Sequence, residues 1–201
     1  MCNEYAREIE MARVIRYMEE MKDVPPFNYD AGRIPNDVAP QRSIKIRDMG
    51  VIARLRGDRL VADTMSWAWK TPGGKPVFNF VSEGRAFAGS DRALILATGF
   101  YEYTAPKDAK VKLKDQHFFE LVTDDWFWIA GIVKQDCFAM LTAAPGPDMT
   151  PYHDRQICVL RPEDGTAWLT LFRPERELLH SPPQGTFKVT TLRENGRAVA
   201  A

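Results

Sequence analysis

Apolar residues recur at helical spacing along the first part of the chain, over residues 4–21. The apolar positions that lie three or four residues apart are Tyr5, Ile9, Ala12 and Ile15. This spacing places them on one face of a helix. The helix is expected to end at Pro25-Pro26, because proline lacks the backbone N–H that the helical hydrogen-bond ladder needs.

Beyond residue 40, short apolar runs alternate with turn residues, which is typical of β-strands. Strands are predicted at Ile44 and Ile46, Val51–Leu55, Leu60–Ala62, Val77–Val81, Ala93–Ala97, Phe118–Val122, Trp126–Val133, Cys137–Thr142, Gln156–Leu160 and Phe187–Thr191. The three runs between residues 118 and 142 are predicted to form consecutive antiparallel strands joined by tight turns.

The remaining segments predict few further elements. Two short helices are expected, over Pro162–Leu171 and Arg173–His180, and the turn-rich segment Phe27–Pro40 is expected to run over the surface. No internal repeat and no Ser/Gly-rich linker divides the chain. We therefore expect a single α+β domain over residues 1–201, with a mixed or antiparallel, barrel-like β-sheet core flanked by a few helices.

The composition is that of a globular protein. The chain has 201 residues, of which 45% are hydrophobic and 27% charged, values that exclude a disordered chain. The longest apolar runs, such as Ile129–Val133, are far shorter than the roughly 20 residues that span a bilayer, and the N-terminus lacks a signal-peptide pattern. We expect a soluble cytoplasmic monomer that has no membrane partner.

The cysteines argue against two common kinds of site. Cys2, Cys137 and Cys158 cannot all pair with one another, and none lies in a CxxC spacing. A disulfide framework and a zinc ribbon are therefore disfavoured. We expect no metal and no cofactor.

Net charge is zero, which at first argues against a nucleic-acid partner. Residues 33–92, however, carry 11 basic and 6 acidic side chains, and the segments on either side are acidic. This basic segment also holds the aromatic residues Trp67, Trp69, Phe78 and Phe80. Aromatic rings among cations suit a groove for single-stranded nucleic acid, although a solvated face beside a core strand has the same sequence pattern.

Cys2 is the most informative single residue. Its small side chain favours removal of Met1 by a methionine aminopeptidase, which would leave a free N-terminal cysteine. Such a residue carries an α-amine and a thiol on adjacent carbons, and the amine has a reference pKa near 7.7–8.0. The amine can capture an aldehyde as an imine, and the thiol can close it into a five-membered ring. A cysteine after the start codon also occurs without any role.

Three polar residues are further candidates for chemistry. Glu102 is flanked by aromatic residues, which would desolvate its carboxyl group and raise its pKa towards the range of general acid–base catalysis; a strand-end glutamate facing solvent is the alternative. His153 lies between tyrosine and aspartate before an apolar run, so it is either a proton shuttle or a structural histidine. Asn79 lies in an apolar strand, where it either orients a ligand or satisfies a core hydrogen bond.

Several motifs occur together in one order: Met1-Cys2, Val38-Ala39-Pro40, Ser66-Trp67, Asn79–Glu83, Gly99–Glu102 and His153-Asp154-Arg155. In this combination the sequence resembles the SOS response-associated peptidase (SRAP) family, whose members form a covalent link to abasic sites in single-stranded DNA. The resemblance runs from Met1 to about residue 192. It implies a cytoplasmic protein that is associated with the nucleoid when it is bound to DNA.

The resemblance also implies a role for each reactive residue. Cys2 would trap the ring-opened aldehyde of the abasic site as a thiazolidine. Glu102 would assist proton transfer at the amine and the sugar, His153 would act on the sugar or its leaving oxygen, and Asn79 would orient the cysteine. Strand incision at the abasic site and self-cleavage at the N-terminus are further activities that the resemblance implies.

On the DNA side, the resemblance implies three contact residues. Arg85 corresponds to a phosphate-contacting arginine, and Pro40 and Trp67 fall in segments that set the conformation and line the groove. The expected partner is single-stranded DNA that contains an abasic site. For Trp67 the alternative is a core position, which is usual for a tryptophan after a strand.

The sequence departs from the family pattern at four places. Asn3-Glu4 replaces the common Gly-Arg after Cys2, and Val81 stands where an arginine is usual. Ala68 replaces the glycine after Trp67, and Ala97 replaces a proline. The reactive set remains complete, so weaker or altered DNA affinity is expected rather than lost chemistry.

Two other functions fit the residues. In the first, the chain is a thiol peptidase with Cys2 as nucleophile, His153 as base and Asn79 as the orienting group. In the second, it is a non-catalytic module for single-stranded DNA, whose binding would depend strongly on salt and not on Cys2.

Overall fold

The computed structural model describes residues 2–21, 27–29 and 39–199 of the chain. Its strands, in chain order, are β1 (Glu4–Arg7), β2 (Phe27–Tyr29), β3 (Gln41–Lys45), β4 (Met49–Arg56), β5 (Arg59–Trp67), β6 (Trp69–Lys70), β7 (Pro76–Val77), β8 (Asn79–Val81), β9 (Asp91–Ala97), β10 (Gly99–Thr104), β11 (Asp115–Leu121), β12 (Phe127–Lys134), β13 (Cys137–Ala143), β14 (Gln156–Ile157), β15 (Val159–Leu160), β16 (Phe187–Glu194) and β17 (Arg197–Ala198). Its helices are α1 (Met11–Glu20), a 3-10 turn at Pro162–Asp164, α2 (Gly165–Thr170) and α3 (Glu175–Leu178). None of these helices is long and apolar enough to cross a membrane.

The larger sheet is curled into a barrel. Its strand order is β14-β13-β12-β9-β4-β5-β2, and β5 also pairs with β13 in parallel through Cys137 with Ser66 and Phe138 with Trp67. This additional pairing closes a ring of strands β13, β12, β9, β4 and β5. The prediction of an α+β fold with a mixed, barrel-like sheet core is therefore confirmed.

The second sheet has the order β17-β16-β11-β10-β1-β3, and all its pairings are antiparallel. It contains β11, so the prediction of three consecutive paired strands between residues 118 and 142 is only partly correct. The strands β12 and β13 do form an antiparallel pair, whereas β11 pairs with β10 and β16. The length of the link between two strands does not specify which sheet each one joins.

The start of the chain corrects the helix predicted over residues 4–21. Residues Glu4–Arg7 form β1, which pairs with β10 through Tyr5 with Phe100 and Ala6 with Gly99, and the helix α1 begins only at Met11. All four residues of β1 are buried. A strand that is covered on both faces shows no alternation of apolar and polar positions, so its apolar residues could be assigned to a helix.

Alternate side chains of the central strands enter two hydrophobic cores. Leu94 and Leu96 of β9 pack into the first core, and Ala93, Ile95 and Ala97 pack into the second. The first core lies against the helices, which contribute Met11, Val14, Ile15, Met18, Ala167, Trp168, Leu169 and Leu178. The second core lies between the two sheets and includes the side chain of Cys2. The barrel wall is thus apolar on both faces, as its near-continuous apolar sequence requires.

The C-terminal helix predictions are confirmed, since Pro162–Asp164 and α2 lie within Pro162–Leu171 and α3 lies within Arg173–His180. The first of them is anchored by Trp168, whose indole N–H donates to the carbonyl oxygen of Ala93 at 3.0 Å. The surface segment predicted over Phe27–Pro40 begins instead with strand β2, which pairs in parallel with β5. Residues 30–38 of that segment lie outside the described residues.

Candidate functional site

The site is organised around Cys2, which lies two residues before β1. The side chain of Cys2 is 1% exposed, and its thiol donates a hydrogen bond to the carbonyl oxygen of Glu4 at 3.2 Å. Burial raises the pKa of this thiol well above its ordinary value, and the negative charge of Glu102 raises it further. The sulfur is therefore held as a neutral thiol at physiological pH.

Asn79 fixes the backbone of this cysteine. The first residue of β8, Asn79 pairs in register with Met140 of β13, and its amide Nδ2 donates a hydrogen bond to the carbonyl oxygen of Cys2 at 2.8 Å. Its other polar atom, Oδ1, is buried and accepts no hydrogen bond from the described part of the chain. Asn79 thus anchors the main chain at Cys2 and keeps one buried acceptor beside it.

Glu102 lies in the middle of β10, not at a strand end facing solvent. Its side chain is 3% exposed, and burial raises its pKa from 4.5 to about 7 against the opposing positive charge of groups that include Lys114. The β1–β10 register, extended back from Tyr5 and Phe100, places Cys2 level with Tyr103 and beside Glu102. A carboxyl group that titrates near neutrality can both accept and donate a proton there.

His153 lies in the loop between β13 and β14 and is partly buried. Its ring nitrogen Nδ1 accepts a hydrogen bond from the backbone N–H of Arg155 at 3.0 Å, while Oδ1 of Asp154 lies 2.7 Å from the same nitrogen. The two contacts require opposite protonation of Nδ1. The backbone donor is fixed, whereas the side chain of Asp154 is 89% exposed and free to turn away. We therefore assign the proton of the neutral ring to Nε2.

Burial also lowers the pKa of His153, and the positive charge of Lys114 lowers it further. The same lysine lowers the pKa of Glu102, and the charge of Asp154 raises the pKa of both groups. Glu102 and His153 thus share one electrostatic environment. Together with the hydrogen bond from Asn79 to Cys2 and the effect of the Glu102 charge on the thiol, this brings all four sequence-predicted reactive residues into one site.

Lys114 was missed by the sequence reasoning, which looked for cations only between residues 33 and 92. The available signal was a run of lysines directly before β11, at Lys107, Lys110, Lys112 and Lys114. Lys114 and Lys45 line a cavity of about 510 Å³ together with Asn3, Glu4, Ile46 and Tyr103. Neither lysine has a carboxylate within 4.0 Å among the described residues.

Glu4, which stands where the family usually has arginine, is held inside this cavity. Its carboxylate accepts hydrogen bonds from the hydroxyl of Ser43, at 2.5 Å, and from the hydroxyl of Tyr103. The amide of Gln116 in turn donates to the hydroxyl of Tyr103 at 2.9 Å. The acidic side chain is thus a structural acceptor, and the two lysines supply the positive charge of the cavity.

The predicted DNA contact at Trp67 is wrong. Trp67 is fully buried, stacks against Phe138, packs edge-on to Tyr5 and Phe78, and donates its indole N–H to the carbonyl oxygen of Phe78 at 2.9 Å. A ring that is covered on all sides offers no face to a base. The parallel pairing of Trp67 with Phe138 turns its side chain into the core, which local sequence does not reveal.

The other two predicted DNA contacts are exposed. Arg85 carries its guanidinium 4.5 Å above the ring of Phe80, and Pro40 lies just before β3. Val81, which replaces the usual arginine, is 43% exposed, so an outward-facing cation is absent at this position of β8. These two contacts remain predictions.

Ala68 stands where the family pattern has glycine, and its backbone is strained. It adopts a φ of 93°, a region that favours glycine, and its backbone N–H donates to the carbonyl oxygen of Phe138 at 2.9 Å. The glycine that the family usually has at this position would relieve this strain. Ala97, by contrast, is an ordinary fully buried residue at the end of β9.

Over residues 2–21, 27–29 and 39–199, no three histidine, cysteine, aspartate or glutamate side chains are grouped so that they could hold a metal ion.

A family sequence model described as "SOS response associated peptidase (SRAP)" matches residues 1–195. Similar solved structures include a protein from Bordetella bronchiseptica, with 19% identity, a TM-score of 0.68 and coverage of 96% of this chain and 100% of that chain. A protein from Bacteroides thetaiotaomicron has 15% identity, a TM-score of 0.70 and coverage of 96% and 92%. A phage-related protein from Bordetella bronchiseptica has 19% identity, a TM-score of 0.69 and coverage of 96% and 95%. At these identities the structures show the shared fold alone, and no curated protein matches the chain.

Proposed function

Because the chain belongs to the SOS response-associated peptidase family, we propose that it captures abasic sites in single-stranded DNA as a covalent cross-link through Cys2, once Met1 has been removed. One observation carries this proposal: Asn79 holds the backbone of Cys2 beside a buried carboxyl group that titrates near pH 7. An amine that attacks an aldehyde needs both a fixed position and a nearby proton carrier.

The first step forms an imine. The neutral α-amine of Cys2 attacks the aldehyde carbon of the ring-opened sugar, and the carbinolamine that results loses water. Glu102 accepts a proton from the attacking amine as a carboxylate and returns it to the departing hydroxyl as a carboxylic acid. The proposal assigns to the buried Oδ1 of Asn79 the role of accepting a hydrogen bond from the amine, because the other end of the same amide already holds the carbonyl oxygen of Cys2.

The second step closes the ring. The thiol of Cys2 adds to the carbon of the iminium ion, a C–S bond forms, and the electron pair of the C=N bond returns to nitrogen. Because burial and the charge of Glu102 keep this sulfur protonated, its proton leaves as the C–S bond forms, with the carboxylate of Glu102 as acceptor. The product is a thiazolidine, and the overall reaction releases one water.

The proposed role of His153 is to assist the opening of the sugar ring. With its proton on Nε2, the neutral imidazole donates a hydrogen bond to the ring oxygen as the cyclic hemiacetal opens to the aldehyde. Its lowered pKa keeps the ring neutral at physiological pH, so Nε2–H stays a hydrogen-bond donor while the proton that the anomeric hydroxyl loses passes to the ring oxygen. The same iminium ion permits strand incision, because it acidifies the neighbouring carbon and allows the adjacent phosphate to leave.

The DNA backbone is recognised beside Cys2. The cavity with Lys45 and Lys114 begins at Asn3, the residue next to the reactive one, and both ammonium groups are available to phosphate oxygens. Arg85 and Pro40, which are both exposed, are proposed as further contacts to the DNA. The lysines compensate for the absent cations at Glu4 and Val81, so the affinity for DNA is retained in an altered form.

The peptidase alternative is less well supported. A thiol peptidase needs a thiolate, which a nearby cation or imidazolium normally stabilises. Here both burial and Glu102 act in the opposite direction on the pKa of Cys2. Cleavage of the chain's own N-terminus is compatible with the site, because it needs only one turnover at a fixed peptide bond.

The proposal is tested with protein whose Met1 removal has been verified by intact mass spectrometry. This protein is mixed with single-stranded DNA that carries one abasic site and is run on a denaturing gel. A shifted band is expected for the wild type and is expected to be absent for Cys2→Ser, which can form only a borohydride-trappable imine. Lack of a shifted band with the wild type would overturn the proposal. Binding that ignores both the lesion and Cys2 would favour the non-catalytic module.

A further inference from the structure

A forked ion pair joins two segments of the site. The guanidinium of Arg155 donates from Nη1 to Oε1 of Glu83 and from Nη2 to Oε2 of Glu83, both at 2.7 Å. The same Nη2 donates to the carbonyl oxygen of Thr142 at 2.9 Å and lies 3.2 Å from its hydroxyl. Two parallel bonds fix the orientation of a guanidinium as well as its distance. We call these residues, Glu83, Thr142 and Arg155, the clamp.

One end of the clamp leads to Asn79. Glu83 lies two residues beyond the end of β8, the strand that begins with Asn79. The residue between, Ser82, is bound to Thr142 through its backbone N–H and its hydroxyl, each at 2.9 Å from the carbonyl oxygen. The clamp therefore fixes the far end of the strand that holds the backbone of Cys2.

The other end leads to His153. The backbone N–H of Arg155 donates to Nδ1 of His153 at 3.0 Å, and this bond sets the tautomer of the ring. If the side chain of Arg155 is released, the loop can shift and the N–H is no longer held against the imidazole. We propose that the clamp positions His153 relative to Asn79 and Cys2, and that Arg155 and Glu83 are positioning residues of the cross-linking site.

The clamp affects geometry as well as stability. The side chains of Arg155 and Glu83 are 22% and 46% exposed, and a bidentate pair of this kind contributes more to the free energy of unfolding than an ordinary surface ion pair, so its positioning role needs a readout other than stability. The hydrogen bonds from Arg155 also lower the pKa of Glu83 to about 2. The carboxylate is thus ionised throughout the physiological range, and the clamp holds at every pH at which the amine of Cys2 reacts.

A direct role of Arg155 on a DNA phosphate is the competing account. In that account Glu83 competes with the phosphate for the guanidinium of Arg155. Glu83→Gln would then leave the reaction unchanged or strengthen DNA binding. The clamp predicts the opposite, because loss of either partner releases the loop. The effects of the two single variants on the rate should then be similar and should not add in the double variant.

The inference rests on the proposed function for its kinetic arm only. The first measurement is the side-chain ¹⁵N spectrum of the 3 histidines, recorded on wild type, Arg155→Gln, Glu83→Gln and Arg173→Gln. Arg173→Gln is the matched control, because it breaks a partly exposed ion pair with Asp164 in another part of the chain. We expect the nitrogen shifts of His153 to move towards the average of the two tautomers in the first two variants and to stay unchanged in the control.

The second measurement is the rate of cross-link formation in the same proteins, with the double variant and Arg155→Lys added. We expect about a tenfold loss in each single variant, no further loss in the double variant, and partial activity with lysine, which keeps the charge but not the fork. Unchanged His153 shifts would overturn the clamp, and so would losses that multiply. If the wild type forms no cross-link, the proposed function fails, and the spectra alone decide on the clamp.

Discussion

The side-chain amide of Asn79 donates a hydrogen bond to the backbone carbonyl of Cys2 at 2.8 Å, across 77 positions of sequence. The bond joins the first residue of β8, which pairs with β13 of the larger sheet, to a residue that lies two positions before β1 of the second sheet. It fixes the backbone of the cysteine through the carbonyl group and does not involve the thiol, which donates to the carbonyl oxygen of Glu4. Several predictions about the site depend on this one relationship and on the burial around it.

Removing the amide is expected to slow the reaction more than it destabilises the fold. Asn79→Ala deletes the donor to the carbonyl of Cys2, and loss of one such bond costs about 1 kcal/mol of unfolding free energy. The rate of cross-link formation should fall at least tenfold, because the amine is no longer oriented. Urea unfolding and gel-shift kinetics measure the two effects. Gln184→Ala, at an exposed position elsewhere, is the control, and a wild-type rate in Asn79→Ala would contradict the assignment.

Glu102 is expected to make stability depend on pH. Its folded pKa, about 7, lies above its ordinary value of 4.5, so the folded state binds more protons between these values. The stabilising contribution is therefore complete below about pH 4.5 and is lost as the pH rises through 7. Glu102→Gln carries no charge to bury, so its stability relative to wild type should rise by roughly 2–3 kcal/mol between pH 5 and pH 8. Urea unfolding at both pH values measures this difference.

The exposed carboxylate variant Glu20→Gln is the control for that experiment. Its stability relative to wild type should be the same at pH 5 and pH 8. If the difference in unfolding free energy between Glu102→Gln and wild type is the same at both pH values, the carboxyl group is not desolvated in the folded chain.

The pH dependence of the cross-linking rate should also reflect the ionisation of Glu102. In the wild type, the rate of cross-link formation is expected to rise with two ionisations, that of Glu102 at about pH 7 and that of the α-amine near 7.7–8.0, because both groups must be deprotonated. In Glu102→Gln the rate should be lower, and its rise should follow the α-amine alone, with a shallower slope of log rate against pH below 7. Single-turnover rates from pH 5.5 to 9 test this. Two superimposable profiles would remove Glu102 from the proton transfers.

Lys45 and Lys114 are expected to contribute to binding before the covalent step. In a Cys2→Ser background, Lys45→Gln and Lys114→Gln should each weaken binding to single-stranded DNA. Each should also reduce the slope of log affinity against log salt by about 0.7. Fluorescence anisotropy between 50 and 300 mM salt measures both. Lys134→Gln, at the exposed end of β12, is the control, and slopes that match this control would exclude the cavity as a phosphate site.

Ala68→Gly is expected to stabilise the protein. Alanine at a φ of 93° is strained, and glycine adopts this region freely. Relief of the strain should outweigh the added flexibility of the unfolded chain and raise the unfolding free energy by about 1 kcal/mol. Ala88→Gly, at an exposed position without a positive φ, should lower it slightly. A loss of stability in Ala68→Gly would contradict the strain.

Much of the barrel could be predicted from sequence, because strands leave a local signature. The runs Val51–Leu55, Ala93–Ala97 and Cys137–Thr142 are apolar, bounded by turn residues and placed correctly within β4, β9 and β13. The order of motifs also specified the family, and it placed Cys2, Asn79, Glu102 and His153 on the list of reactive residues. These properties depend on residue types and on spacing along the chain, both of which the sequence gives directly.

The tertiary structure decided where each of these residues lies. Residues Glu4–Arg7 form a strand because they pair with β10 on one side and β3 on the other. Trp67 is a core residue because β5 pairs with β13 and closes the barrel there. Burial raises the pKa of Glu102 because other strands of the assembled sheets cover its side chain. Lys114 acts on Glu102 because it directly precedes β11, the strand that pairs with β10. Local sequence records which residues can be buried or charged. Burial and charge proximity are set by long-range pairing, and only the assembled sheets bring a carboxyl group, an amide and an imidazole to one cysteine.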